Sequence, residues 1–148
     1  MKKYKFLEEA WHSFAKRSPD STKTTAILFN PSNPDYIILA TCNDFPVGAR
    51  YNIQAKPERL KRPEKYNWIN HAERTLIAWC AREGIKTFAN GIYMHWFPCA
   101  ECAKSIIDAG IVKLVCEKPD LNNEIAEFWY FKEALEMLTE AGIEIEYL

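Results

Sequence analysis

The chain lacks any apolar run of the roughly 18 residues that a membrane span requires. It also lacks a basic excess. Lys+Arg 19 stand against Asp+Glu 20 for a formal net charge of −1, whereas a protein that tracks a phosphate backbone carries a surplus of positive charge. A polymeric nucleic acid partner is therefore disfavoured, and a single phosphate is not. Glu8, Glu9 and His12 interrupt the segment after the basic start, so no signal-peptide core forms and a cytoplasmic location is expected. No internal repeat, low-complexity tract or Gly/Ser linker divides the sequence, which predicts one domain over residues 1–148. An even set of cysteines is missing too. The five at positions 42, 80, 99, 102 and 116 read as buried thiols, metal ligands or catalytic groups rather than a disulfide framework. Charged residues make up an ordinary 26%, which does not support disorder.

Phe6, Leu7, Ala10, Trp11 and Phe14 recur at helical spacing, predicting a helix over about residues 4–17 that ends at Ser18-Pro19. Strands are predicted at residues 24–29 and 36–40, joined by a turn at Pro31-Ser32-Asn33-Pro34. Residues 43–68 lose periodicity and carry three prolines, the mark of a functional connection. Beyond it the pattern predicts a helix over 70–83, a strand over 92–96, a helix over 99–109 and a strand over 111–116. A helix over 123–141, capped by Asn123, and a last strand over 143–147 complete the chain. A hairpin followed by β-α-β-α-β units predicts an α/β fold with a mixed sheet, its last two strands parallel.

Two stretches carry chemistry: His71-Ala72-Glu73, and Pro98-Cys99-Ala100-Glu101-Cys102. A helix starting at Cys99 sets Cys99 and Cys102 on one face of its first turn, where the helix dipole favours thiolates. Two thiolates and the His71 imidazole make a three-ligand zinc site with a fourth position open for water, the arrangement of a catalytic rather than a structural metal. Glu73, two residues from His71, can reach that position without being a ligand. Plainer readings stand beside this one. Asn70-x-x-Glu73 matches a helix capping box, and a lone Cys-x-x-Cys suits a redox pair or half a zinc knuckle. The combined His-x-Glu and Pro-Cys-x-x-Cys pattern is the zinc deaminase signature.

At these residues the sequence resembles the cytidine/deoxycytidylate deaminase superfamily, and most closely its deoxycytidylate (dCMP) deaminase branch. Arg62-Pro63-Glu64-Lys65-Tyr66-x-Trp68-x-x-His71-Ala72-Glu73-Arg74 is similar to the run through the first motif. The stretch from Phe97 to Ile111 is similar to the second, and Asn43-Asp44-Phe45-Pro46-x-Gly48 to the substrate loop. The resemblance implies a three-layer α/β/α cytidine deaminase-like fold with a five-stranded sheet. It implies one zinc per chain on His71, Cys99 and Cys102, and Glu73 as the proton shuttle. The implied reaction is hydrolytic deamination at C4 of a pyrimidine nucleotide, dCMP to dUMP plus ammonia, by zinc-activated hydroxide. It further implies that the Ala72 backbone meets the pyrimidine edge, that Asn43 bonds the sugar or base, and that Trp96 or Phe97 forms an apolar wall. Thr41-Cys42-Asn43-Asp44 keeps the family asparagine with altered neighbours. The alternatives are a deaminase of tRNA adenosine or another nucleobase on the same fold, or a non-catalytic nucleotide-binding module with structural zinc.

The basic loop between residues 50 and 66 is the candidate holder of a 5′-phosphate, with Arg50, Arg62 and Lys65 as its candidates; the plain alternative is a solvated loop offsetting an acidic C-terminal third. His95 reads as a hydrogen-bonded core histidine. Phe128-Trp129-Tyr130-Phe131 surrounds a helix turn with aromatics, so part of it is expected to meet a neighbouring subunit or cover the substrate mouth. A homo-oligomer, dimer or hexamer, is expected.

Overall fold

In a computed structural model, which describes residues 3–49 and 56–148, strand β1 (Thr25–Asn30) sorts the core into two halves. Successive side chains of a strand point to opposite faces. Ile27 and Phe29 pack with Tyr93 and Val115 against Leu7, Trp11 and Ala15 of helix α1 (Lys5–Ala15). Ala26 and Leu28 pack with Ile92, Leu114 and Cys116 on the opposite face. There they meet Leu76 and Cys80 of α3 (Ala72–Glu83), Ala103 and Ile106 of α4 (Ala100–Asp108), and Ala134 and Leu138 of α6 (Phe131–Glu140). This is a three-layer α/β/α arrangement, with α1 on one face of the sheet and α3, α4 and α6 on the other.

The sheet has five strands in the order β2-β1-β3-β4-β5, with β2 Asn33–Cys42, β3 Gly91–Tyr93, β4 Lys113–Cys116 and β5 Glu144–Tyr147. β1 pairs antiparallel with β2 and β3, while β3, β4 and β5 run parallel. The predicted mixed sheet with parallel final strands is what the chain forms. Central strands covered on both faces explain the unbroken apolar runs in β3 and β4. No helix among the described residues is long and apolar enough to cross a membrane.

Besides one- or two-residue shifts at element ends, three differences from the sequence-based expectation bear on the site. Asn33 and Pro34 belong to β2 rather than to the turn, which closes at Ser32 through its N–H donating to Asn30 Oδ1. Regular β3 stops at Tyr93, although Met94 and His95 keep backbone bonds to Val115 and Glu117, and the His95 ring stacks flat on Trp11, centroids 3.7 Å apart and 6° between planes. The helix predicted over 123–141 is two helices, α5 (Glu124–Trp129) and α6, broken at Tyr130 in the left-handed conformation (φ 57°, ψ 49°). Side chains two apart on one helix diverge by about 200°. The break lets Trp129 and Phe131 both turn inward while Phe128 and Tyr130 stay exposed. The long connection is partly ordered, with a 3-10 turn at Pro57–Leu60 and a one-turn helix α2 at Lys65–Trp68.

Gly91 faces Phe29 across the β1–β3 pairing, and a Cβ there would lie 2.5 Å from the Phe29 ring. That ring is fully buried and has little room to move. Gly91→Ala should destabilise the fold by about 1–3 kcal/mol in urea denaturation.

Candidate metal centre

The two helices that bear the chemistry begin at adjacent points on the upper face of the sheet. His71 is the residue before α3 begins, with extended backbone (φ −66°, ψ 149°) and no side-chain cap bond, so its imidazole is free to project. The capping-box reading of Asn70 and Glu73 does not hold. Asn70 lies outside the helix, and its backbone exchanges hydrogen bonds with that of Asp44. Glu73 is buried in the first turn of α3, leaving its carboxyl for the interior.

Cys99 caps α4, its Sγ accepting the Cys102 backbone N–H at 3.4 Å. His71 Nδ1 lies 3.5 Å from Cys99 Sγ and 3.5 Å from Cys102 Sγ. One ligand atom from each of the three residues falls within 4.8 Å of the other two. The electrostatics suit a cation. The contact with Cys102, then His71 and the Cys102 N–H at the helix start, outweigh burial and lower the Cys99 thiol pKa. Cys102 is pushed far up by sharing that contact with an ionised Cys99 and by burial. The second thiolate therefore forms readily only when positive charge enters between the sulfurs. Burial lowers the pKa of His71, but its contact with Cys99 and the charge of Glu73 outweigh that and raise it overall. Burial raises the Glu73 pKa against the opposing pull of His71. Two soft sulfurs and one imidazole, three protein donors in all, fit zinc with one tetrahedral position left open.

Among the other predicted site residues, Ala72 is buried between His71 and Glu73, its N–H donating to Asn43 Oδ1 at 2.8 Å and its carbonyl accepting from Thr41 Oγ1 at 2.8 Å. Asn43 is itself buried, and its Nδ2 donates to Asp20. Phe97 is buried edge-on to Phe131, whereas Trp96 is 48% exposed. Lys65 turns inward to a salt bridge with Asp20 at 2.7 Å, so its ammonium is committed to a carboxylate rather than offered to a phosphate. Arg62 stays exposed, its Nε donating to Tyr66 Oη at 2.9 Å and its Nη2 to Thr22 Oγ1 at 3.3 Å. Arg50 lies outside the described residues. Sequence reasoning did not single out Trp129, whose ring stands edge-on to His71 at 5.0 Å and to Tyr66 at 5.7 Å. Its signal was the aromatic run 128–131, but which ring turns inward depends on the helix break. A cavity of about 1150 Å³ lies on another side of α3, lined by Phe14, Arg17, Thr75, Trp79 and Arg82 among others and by none of the metal-binding trio. The donor set, not cavity size, locates the chemistry.

Comparison with known proteins agrees with this geometry. The sequence profile described as "Cytidine and deoxycytidylate deaminase zinc-binding region" matches residues 5–118. The deoxycytidylate deaminase of Enterobacteria phage T2 is 37% identical over 109 residues, 70% of this chain and 52% of that protein. ComE operon protein 2 of Bacillus subtilis (strain 168) is 36% identical over 76 residues, 51% of this chain and 36% of that protein. The chain thus spans about half or less of these relatives' lengths. In structure it is similar to the apo form of dCMP deaminase from the cyanophage S-TIM5, with a TM-score of 0.67, 18% identity, and coverage of 96% of this chain and 97% of that one.

Beneath the metal centre runs a buried polar network. Asp20 accepts from Lys65 Nζ at 2.7 Å, from Asn43 Nδ2 at 3.2 Å and from the Thr22 N–H at 3.2 Å, while Ser18 Oγ donates to the Asn43 carbonyl at 2.6 Å. Burial alone would raise the Asp20 pKa, but the Lys65, Thr22 and Asn43 donors outweigh it and lower it overall. Its stabilisation is present above the ordinary carboxylate range and is lost as pH falls through the lowered value. Lys65→Met leaves a buried carboxylate unpaired and should cost about 3–5 kcal/mol in urea denaturation at neutral pH. The gap from wild type should narrow in acid as Asp20 protonates.

Proposed function

Because the chain belongs to the cytidine and deoxycytidylate deaminase family, we propose that it deaminates a free pyrimidine nucleotide, dCMP foremost, to dUMP and ammonia. The observation that carries this reading is the buried Glu73 carboxyl beside a His71–Cys99–Cys102 trio. A purely structural zinc needs no proton carrier at its edge. Zinc held by the trio would supply Lewis acidity and lower the pKa of a coordinated water.

The chain's own residues then divide the work. Glu73 takes a proton from the attacking water and passes it to ring N3 as oxygen adds at C4. It then takes the proton of the new C4 hydroxyl and hands it to the exocyclic nitrogen as the C4–N bond breaks, releasing ammonia and leaving the keto product. Its burial raises the carboxyl's pKa above the ordinary carboxylate value, which favours taking up the proton that it passes on. The Ala72 backbone lines the pyrimidine edge, its carbonyl held by the Thr41 hydroxyl and by the first turn of α3. Its N–H is already committed to Asn43, so Asn43 acts on the substrate chiefly by holding this backbone in place. Phe97 and Trp129 form apolar walls, and the exposed Trp96 shields the mouth.

Arg62 is our choice for the 5′-phosphate. Its guanidinium is exposed, and the contacts Arg62–Tyr66–Trp129–His71 lead from it to the metal centre. The near-neutral chain suits one small anion better than an RNA.

Glu73→Gln should keep one zinc per chain by elemental analysis yet lose at least about 100-fold in kcat; undiminished turnover would remove the shuttle. In an ultraviolet assay across dCMP, deoxycytidine, CMP, dCTP and an adenosine stem-loop RNA, dCMP should give the highest kcat/KM. Arg62→Ala should raise KM for dCMP by about tenfold or more and leave deoxycytidine unchanged. Equal activity on deoxycytidine and dCMP would defeat the phosphate assignment.

A further inference from the structure

A second cluster of metal-binding side chains lies away from the deaminase trio, where α1 meets the segment after β3. Glu8 and His12 are one helical turn apart on α1, with His12 Nε2 3.8 Å from Glu8 Oε1. His95, brought over by its stack on Trp11, stands edge-on to the His12 ring with centroids 5.3 Å apart. One ligand atom from each of Glu8, His12 and His95 lies within 4.8 Å of the other two. We propose that these three residues form a second divalent-metal site, one that clips α1 to the segment leading into Cys99.

The donor set identifies the class of ion. Two imidazoles and one carboxylate suit zinc, nickel or copper, and are poor for calcium or magnesium, which take oxygen ligands. The His95 ring is already oriented. Trp11 fixes its plane, the Tyr93 hydroxyl lies 3.4 Å from Nε2, and Glu117 Oε1 lies 3.9 Å from Nδ1. Burial lowers the pKa of His95, keeping it neutral and able to bind at physiological pH. Glu8 and His12 are solvent-accessible, with the His12 ring edge-on to Trp11 and His95. Ligands around zinc at about 2.0–2.2 Å stand nearer together than the trio does here, and rotation of these two side chains closes the gap. Because His95 precedes Cys99 by four residues, an ion here would also stiffen the Trp96–Pro98 stretch. The sequence predicts one zinc because positions 8, 12 and 95 form no spacing motif; the Trp11 stack is what assembles them.

The test starts from protein carrying one zinc per chain. Zinc is added by equilibrium dialysis and the bound metal counted for wild type, His12→Ala and Glu8→Gln. Both substitutions are on the exposed side of α1 and should leave the fold intact, which circular dichroism checks. Wild type should take up a second zinc with a Kd of about 1–10 μM and gain thermal stability. Each variant should bind it at least about tenfold more weakly and gain less. Cobalt added to the one-zinc protein should give ligand-field bands without a thiolate charge-transfer band, separating this site from the cysteine site. No second ion at about 100 μM free zinc, a thiolate band on cobalt addition, or uptake unaltered by both substitutions would overturn the proposal.

Discussion

A single buried hydrogen bond, from the Ala72 N–H to Asn43 Oδ1 at 2.8 Å, holds the start of α3 against the end of β2. It satisfies one of the four backbone donors that a helix N-terminus leaves without a partner. Asn43 cannot rotate away, because its Nδ2 is held by Asp20 and Asp20 is held by Lys65. The Thr41 hydroxyl closes the same junction on the Ala72 carbonyl. His71 and Glu73 flank Ala72 and inherit its position. The imidazole is thereby set 3.5 Å from two sulfurs that belong to a different helix. A half-satisfied network would be costly in this interior, and the network's near completeness makes it rigid. Rigid placement is what a catalytic constellation requires.

The second helix is positioned differently, by packing rather than polar contacts. α4 buries Ala103 and Ile106 on the sheet, and Cys99 and Cys102 fall in its first turn. The Cys102 side chain, His71 and the Cys102 N–H at the helix start favour the Cys99 thiolate. Around these two anchors stand aromatic rings. Trp129 lies edge-on to His71, and Phe131 edge-on to Phe97. They shield part of the imidazole from water, which strengthens the charge interactions around it. The same exclusion burdens Glu73 with desolvation, which becomes useful if the carboxyl must pick up and release a proton near neutral pH.

The metal-binding trio was legible in the sequence because each of its members sits at a helix start that announces itself. Gly84 ends α3 in the left-handed conformation, and Gly110 and Gly142 follow α4 and α6 with positive φ, so these helix ends were legible as well. The strand alternation that sorts Ile27 and Phe29 from Ala26 and Leu28 carried the layered fold. What stayed hidden depends on pairs far apart in the chain. Nothing in the local sequence joins Lys65 to Asp20, 45 residues away, and a lysine in a basic loop looks like a phosphate ligand until its partner is seen. The break at Tyr130 was equally hidden, since a non-glycine residue at φ 57° goes against propensity and follows from the need to turn Trp129 and Phe131 inward together. Asn70 satisfied a capping pattern that tertiary pairing with Asp44 overrode.

The central claim is that three side chains, and no fourth, hold one zinc with a position left for the reacting water. X-ray absorption at the zinc edge, on protein carrying one zinc per chain, measures that directly. The account predicts two sulfur neighbours at about 2.3 Å and two nitrogen or oxygen neighbours at about 2.0–2.1 Å, with one of the light neighbours exchangeable for an added anion. Three or four sulfur neighbours, or a full protein shell that no small anion can enter, would contradict it.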